Sequence, residues 1–154
     1  MQYPTLIHEN VALARENRNP TVICKMHSGW AVLGDSQFLP GYCLLLADPV
    51  VPSLNKMGLA QRSHFMNDMA LIGDALLECT DAYRINYEIL GNKEPALHAH
   101  IFPRYLSEPP DRIQVPVWYY PKELRQSVKI DYARDQSLIE SLRKTITSKL
   151  SASA

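Results

Sequence analysis

Leu97-His98-Ala99-His100-Ile101-Phe102-Pro103-Arg104 is the stretch on which the reading of this chain turns. Leu97, Ala99 and Ile101 alternate with His98, His100 and Phe102, and a period of two is the period of a β-strand. The apolar set then faces a core. Two imidazoles share the opposite face, their side chains roughly 7 Å apart from strand rise alone. Ala99 is small enough for a helix to pack closely behind the pair. Upstream, Tyr83, Ile85, Tyr87 and Ile89 alternate with Arg84, Asn86 and Glu88. Gly91-Asn92 and Pro95 separate the two runs, and such turn signals join strands into a hairpin. Asn86 then comes near the histidines.

Outward from the hairpin, residues 57–80 read as the strongest helix. Phe65, Met69, Ile72, Leu76 and Cys79 recur at steps of four and three and form one apolar stripe. Arg62, Asn67, Asp68 and Glu78 are expected to face water, and His64 to be a surface histidine. Residues 8–18 read as a short helix with Val11, Leu13 and Ala14 inward, stopped by Pro20. Residues 21–26 and 30–33 are short β-like runs. Residues 42–47 are apolar without a break, which suggests a strand covered on both faces. A proline-rich extended segment with Trp118, Tyr119 and Tyr120 spans residues 107–121. A terminal helix is expected over about 135–150, with Asp135 as its cap and Ile139, Leu142, Ile146 and Leu150 as its stripe.

The 154 residues fit one domain over 1–154, long enough to bury a core without metals or disulfides. Sixteen Lys and Arg balance sixteen Asp and Glu, so no basic field for nucleic acid is expected. No apolar run approaches the roughly 18 residues of a membrane span, and the first nine residues lack the pattern of a secretory leader. Cys24, Cys43 and Cys79 form no C-x-x-C pair; free thiols in a reducing cytoplasm are the plain expectation.

Two imidazoles on one rigid strand can sit as a structural surface pair, bind a metal, relay protons, or divide nucleophilic attack and charge stabilisation between them. A metal wants a third and fourth ligand, and no nearby His or Cys has suitable spacing. Phosphorus chemistry suits the last option. A neutral imidazole attacks in line, its other nitrogen held by an acceptor such as a backbone carbonyl, while the second imidazole stabilises developing charge. In the connecting turn, Gly91 and Asn92 could offer backbone N–H groups and an amide to a phosphate, and Lys93 a cation.

The block from Ile85-Asn86-Tyr87-Glu88-Ile89-Leu90-Gly91-Asn92 to Pro95-Ala96-Leu97-His98-Ala99-His100-Ile101-Phe102-Pro103-Arg104-Tyr105 closely resembles histidine-triad (HIT) proteins, especially bacterial members labelled diadenosine polyphosphate hydrolases. The resemblance implies an α+β fold, a five-stranded antiparallel sheet with two main helices, and commonly a homodimer. It implies a nucleotide substrate, with His98 as the nucleophile and His100 contacting phosphate. Asn86, Gly91, Asn92 and Lys93 are then expected on the substrate, and Asp35 on the ribose hydroxyls. Trp30, Val32, Leu33 and Leu44 are candidates for a base pocket, and Arg104 for a phosphate contact. The Trp118 segment would cross towards a partner's site. The first histidine of the triad is replaced by Ala96, and Pro40-Gly41-Tyr42 replaces a Pro-Gly-His segment. The triad is therefore incomplete.

The activity so implied is hydrolysis of a nucleoside 5′-phosphate linkage through a nucleotidyl-histidine, with no metal held by the protein and magnesium at most carried in by the substrate. Nucleotide binding without turnover, or nucleotidyl transfer, are the alternatives. Because residue 96 lies on the same side as His98, Ala96→His is expected to leave folding largely intact.

Overall fold

The alternation along residues 97–103 becomes the two faces of a twisted sheet in a computed structural model that describes residues 3–152. The strands are β1 (Val22–Lys25), β2 (Gly29–Leu33), β3 (Cys43–Ala47), β4 (Arg84–Glu88) and β5 (His98–Arg104). They lie in the order β1-β2-β3-β5-β4, and every neighbouring pair is antiparallel. The helices are α1 (Leu6–Arg15), α2 (Leu59–Cys79), the short α3 (Lys122–Arg125) and α4 (Tyr132–Ala152). This is the α+β architecture expected. No helix of the described residues is long and apolar enough to cross a membrane.

The back face of the sheet carries Leu33, Leu45, Ala99 and Ile101 into one buried cluster with α2 and α4. Phe65, Ile72 and Leu76 of the α2 stripe are fully buried there, as are Leu142 and Ile146 of α4. Each such side chain contributes on the order of 1.5–3 kcal/mol over its exposed state. Ala99 has no exposed surface, so its small size sits under the packed helices.

Three local expectations change. Asp68 does not face water: its carboxylate is buried and accepts from both the backbone N–H and the hydroxyl of Ser28, at 2.7 Å each. It thereby ties α2 to the turn before β2. The cap of α4 lies a turn earlier than Asp135. Asp131 accepts from the Arg134 N–H at 3.0 Å, and Asp135 accepts from the Asp131 N–H at 2.9 Å. Reciprocal capping of this kind satisfies donors that a helix start leaves unpaired. Finally, α1 ends at Arg15, well before Pro20, because Asn17 takes a left-handed φ of 57°. Its buried side is Ile7, Val11 and Ala14, without Leu13.

That buried side places α1 on the front face. Ile7 and Val11 cluster with Val32, Leu46 and Ala96, and Ala96 is wholly buried. A histidine at residue 96 would therefore have to be taken in among Ile7, Val11, Val32 and Leu46, away from solvent, which strand alternation alone does not reveal. Ala96→His should destabilise the protein by about 1–3 kcal/mol, the usual range for overpacking, read as a lower denaturant midpoint at unchanged slope. Gly29 provides a second test of packing. A Cβ there would lie 1.8 Å from the Leu46 carbonyl oxygen, whereas one at Gly58 would meet nothing within 4 Å. Gly29→Ala should cost about 3 kcal/mol or more, and Gly58→Ala should stay within about 0.5 kcal/mol of the parent.

Candidate functional site

Because β5 is paired with β3 on one side and β4 on the other, its front-face side chains project from a strand held on both edges. His98 stands opposite Leu46, and His100 between Leu44 and Glu88. The two imidazoles do share a face: their ring centroids lie 5.0 Å apart at an interplanar angle of 75°.

His98 Nδ1 lies 2.7 Å from the Ala96 carbonyl oxygen. A carbonyl only accepts, so Nδ1 carries a proton, and in the neutral ring Nε2 then holds the lone pair. That is the arrangement a nucleophilic imidazole requires, and it needs only the backbone of residue 96. The His98 side chain is 7% exposed. His100 makes its hydrogen bond elsewhere, between Nδ1 and the Tyr42 hydroxyl at 2.7 Å. Its ring lies nearly parallel to those of Phe102 and Tyr42, with centroids 5.8 and 6.0 Å away. The indole of Trp118 meets it edge-on at 5.2 Å. Burial, and then the neighbouring His98, lower the His100 pKa to about 4, so it is neutral at pH 7. Burial, with smaller effects of Cys43, Asp35 and Glu88, raises the Tyr42 pKa, so the phenol stays protonated.

Beside this ring stack is a cavity of about 260 Å³. Val32, Leu44 and Leu46 from the sheet, Ile7 from α1, and Phe38 line it. Neither histidine lines it. Tyr42, Phe102 and Trp118, which surround His100, do. Apolar side chains therefore form most of the wall, and the imidazoles stand behind its aromatic end.

Asp35 is exposed and lines this cavity. Val32, Leu33 and Leu44 also line it, but Trp30 does not. The Trp30 indole N–H donates to Asp48 at 2.9 Å, and the ring packs beneath α1 with Lys25 over its face at 4.6 Å. Asn86 is on the front face, paired in register with Phe102. It opens onto a separate groove with Glu88 and Arg104. Gly91, with a φ of +81°, Asn92 and Lys93 form the loop between β4 and β5. None of the three lines the cavity or hydrogen-bonds to either imidazole.

Arg104 has no donor left for a phosphate. Nε faces Glu108 at 3.1 and 3.2 Å, Nη1 reaches Asn86 Oδ1 and the Val115 carbonyl at 2.7 Å each, and Nη2 reaches Glu108 and the Arg112 carbonyl at 3.0 and 2.9 Å. These use all five guanidinium N–H groups. Glu108 also accepts from the Tyr105 N–H and the Tyr120 hydroxyl. The buried pair thus folds the proline-rich segment onto the sheet and fixes the carbonyl end of Asn86.

Sequence reasoning did not locate Trp118, Phe38 or α1 at the site. Trp118 returns to its own chain's His100, with its indole N–H donating to Glu88 and the Arg125 guanidinium 5.2 Å over its ring. The aromatic group was visible in the sequence, but the Arg104–Glu108 anchor that aims it depends on contacts distant along the chain. Among the described residues, no group of three or more His, Cys, Asp or Glu is placed to hold a metal ion.

No family model matches the sequence, and neither does any curated relative. The likeness is found among solved structures. A histidine triad protein from Bradyrhizobium japonicum is 25% identical, with 81% of this chain and 89% of that one covered at a TM-score of 0.70. One from Marinobacter aquaeolei is 17% identical over 95% and 98% of the two chains, also at 0.70. A hypothetical histidine triad nucleotide-binding protein from Sulfolobus tokodaii is 12% identical over 91% and 92%, again at 0.70. The fold of this chain is the fold of the histidine-triad proteins.

Proposed function

We propose that the protein is a nucleotide hydrolase that cleaves a nucleoside 5′-phosphate linkage, in a dinucleoside polyphosphate or a nucleotide phosphoramidate, through a nucleotidyl-histidine. The observation that carries this reading is the 2.7 Å bond from His98 Nδ1 to the Ala96 carbonyl. It leaves the lone pair on Nε2, next to a second imidazole and beside an apolar cavity edged by a carboxylate.

His98 Nε2 attacks the α-phosphorus. An N–P bond forms, the bond from phosphorus to the leaving group breaks, and the leaving group departs with that electron pair, an amine leaving group taking up a proton from solvent. Water then attacks the same phosphorus, the N–P bond breaks, a proton passes to solvent, and the nucleoside monophosphate leaves. His100, neutral at pH 7, stabilises a phosphoryl oxygen as a hydrogen-bond donor. The cavity takes the base between apolar walls, and Asp35 accepts from the ribose hydroxyls. Asn86 and the loop of Gly91, Asn92 and Lys93 contact the remaining phosphate once a substrate is bound. Magnesium, where a polyphosphate needs it, arrives with the substrate.

Two features favour a second reading, nucleotide binding with little turnover. His98 is only 7% exposed, and the position of the triad's first histidine is filled by Ala96 under α1. Incubation with a fluorogenic adenosine phosphoramidate and with diadenosine tetraphosphate separates the readings. Hydrolysis should yield AMP, and acid-labile nucleotide mass on the intact protein should vanish in His98→Ala, with turnover reduced on the order of 10³-fold or more. Binding without adduct or product would contradict hydrolysis and support the second reading. Product formed only when a phosphate acceptor is added would instead identify a transferase.

A further inference from the structure

Tyr42 occupies the place of a histidine in the resemblance, yet it is built into the site in its own way. Gly34 makes room for its ring: a Cβ on Gly34 would lie 2.4 Å from it. Gln37 holds the surrounding loop, donating to the carbonyls of Gly34 and Tyr42 at 2.9 and 3.0 Å and accepting from the Gly41 N–H at 2.8 Å. Phe102 stacks on the phenol with centroids 4.2 Å apart. The hydroxyl is thus delivered to His100 Nδ1 by a fixed backbone and a fixed ring.

We infer that Tyr42 is a positioning residue whose hydroxyl donates to His100 Nδ1 and holds His100 as the neutral imidazole with its proton on Nε2. Among the described residues the phenol has no other hydrogen-bond acceptor and His100 Nδ1 no other partner. If Nδ1 carried the proton, the phenol hydrogen would be left without a protein acceptor in a half-buried place, an unfavourable arrangement. The burial that keeps the phenol protonated also keeps His100 neutral. The two imidazoles are consequently held in opposite tautomers. His98, donating from Nδ1 to a carbonyl, presents a lone pair at Nε2. His100, accepting at Nδ1, presents an N–H at Nε2. Two chemically identical side chains two residues apart acquire an acceptor role and a donor role from one backbone carbonyl and one phenol.

The tautomer stands apart from any reaction; its use as the donor to a phosphoryl oxygen rests on the hydrolase reading. Long-range proton–nitrogen NMR on the ¹⁵N-labelled full chain, without substrate at pH 7, reads both rings, with assignments from His98→Gln and His100→Gln. The expected spectrum has His98 protonated at Nδ1 and His100 protonated at Nε2. In Tyr42→Phe the His98 pattern should persist while His100 shifts towards a mixture of tautomers. A wild-type His100 protonated at Nδ1, or a His100 tautomer unchanged in Tyr42→Phe, would overturn the inference. In turnover assays Tyr42→Phe should lower kcat about tenfold with KM changed less than about twofold, the scale of one hydrogen bond. An unchanged kcat in an active enzyme would remove the positioning role. A wild-type protein with the expected tautomers and no turnover would overturn the hydrolase reading alone.

Discussion

Everything at the front of this protein depends on β5 being hydrogen-bonded along both edges. A strand paired on one side can slip or fray, and a slip of one residue would send both imidazoles into the core and Ala99 and Ile101 to the front. Here β3 and β4 both fix the register, with His100 opposite Leu44 on one side and Glu88 on the other. The buried back-face residues Ala99 and Ile101 penalise the alternative register further. The geometry of the imidazoles is therefore a consequence of sheet packing, and it does not need a ligand to assemble it.

The two faces are covered differently. Two long helices bury the back face, while the front is shared by α1, the ring stack and the proline-rich segment. The front cover is held largely by polar anchors. Arg104 and Glu108, both nearly fully buried, organise residues 105–120 with hydrogen bonds to three carbonyls and carboxamides of that region and of β4. Breaking such a pair leaves a buried charge uncompensated, which commonly costs about 3–5 kcal/mol. Arg104 thus belongs to the frame that places Trp118 beside His100, and its contribution to the site is made through that frame.

How much of this was legible in the sequence depends on how local the determining forces were. The period-two alternation of residues 97–103, the α2 stripe at Phe65, Ile72 and Leu76, and the α4 stripe at Ile139, Leu142 and Ile146 are all set by burial of one face, and burial is written into spacing. The shared face of His98 and His100 follows from the same rule. Polar residues were harder to read. Asp68 looked like a solvent-facing helix residue, but Ser28, forty residues earlier, supplies two donors that make its burial favourable. Arg104 is a plausible phosphate ligand by residue type alone, but its five donors are taken by partners spread from Asn86 to Val115. The alternation puts Ala96 on the side of His98, but nothing in a single sequence says that Ile7 and Val11 cover it. The loop of Gly91, Asn92 and Lys93 stands apart from the cavity, and its part in binding rests on a substrate long enough to reach it.

The central claim is that two imidazoles on one strand face the phosphorus of a nucleotide seated in the adjacent cavity. A crystal structure of the protein grown with AMP tests it most directly. The account predicts the base against Val32 and Leu44, the ribose hydroxyls on Asp35, and the phosphate within hydrogen-bonding reach of Nε2 of both His98 and His100. A nucleotide bound at another surface, or one seated in the cavity with its phosphate out of hydrogen-bonding reach of the two rings, would contradict it.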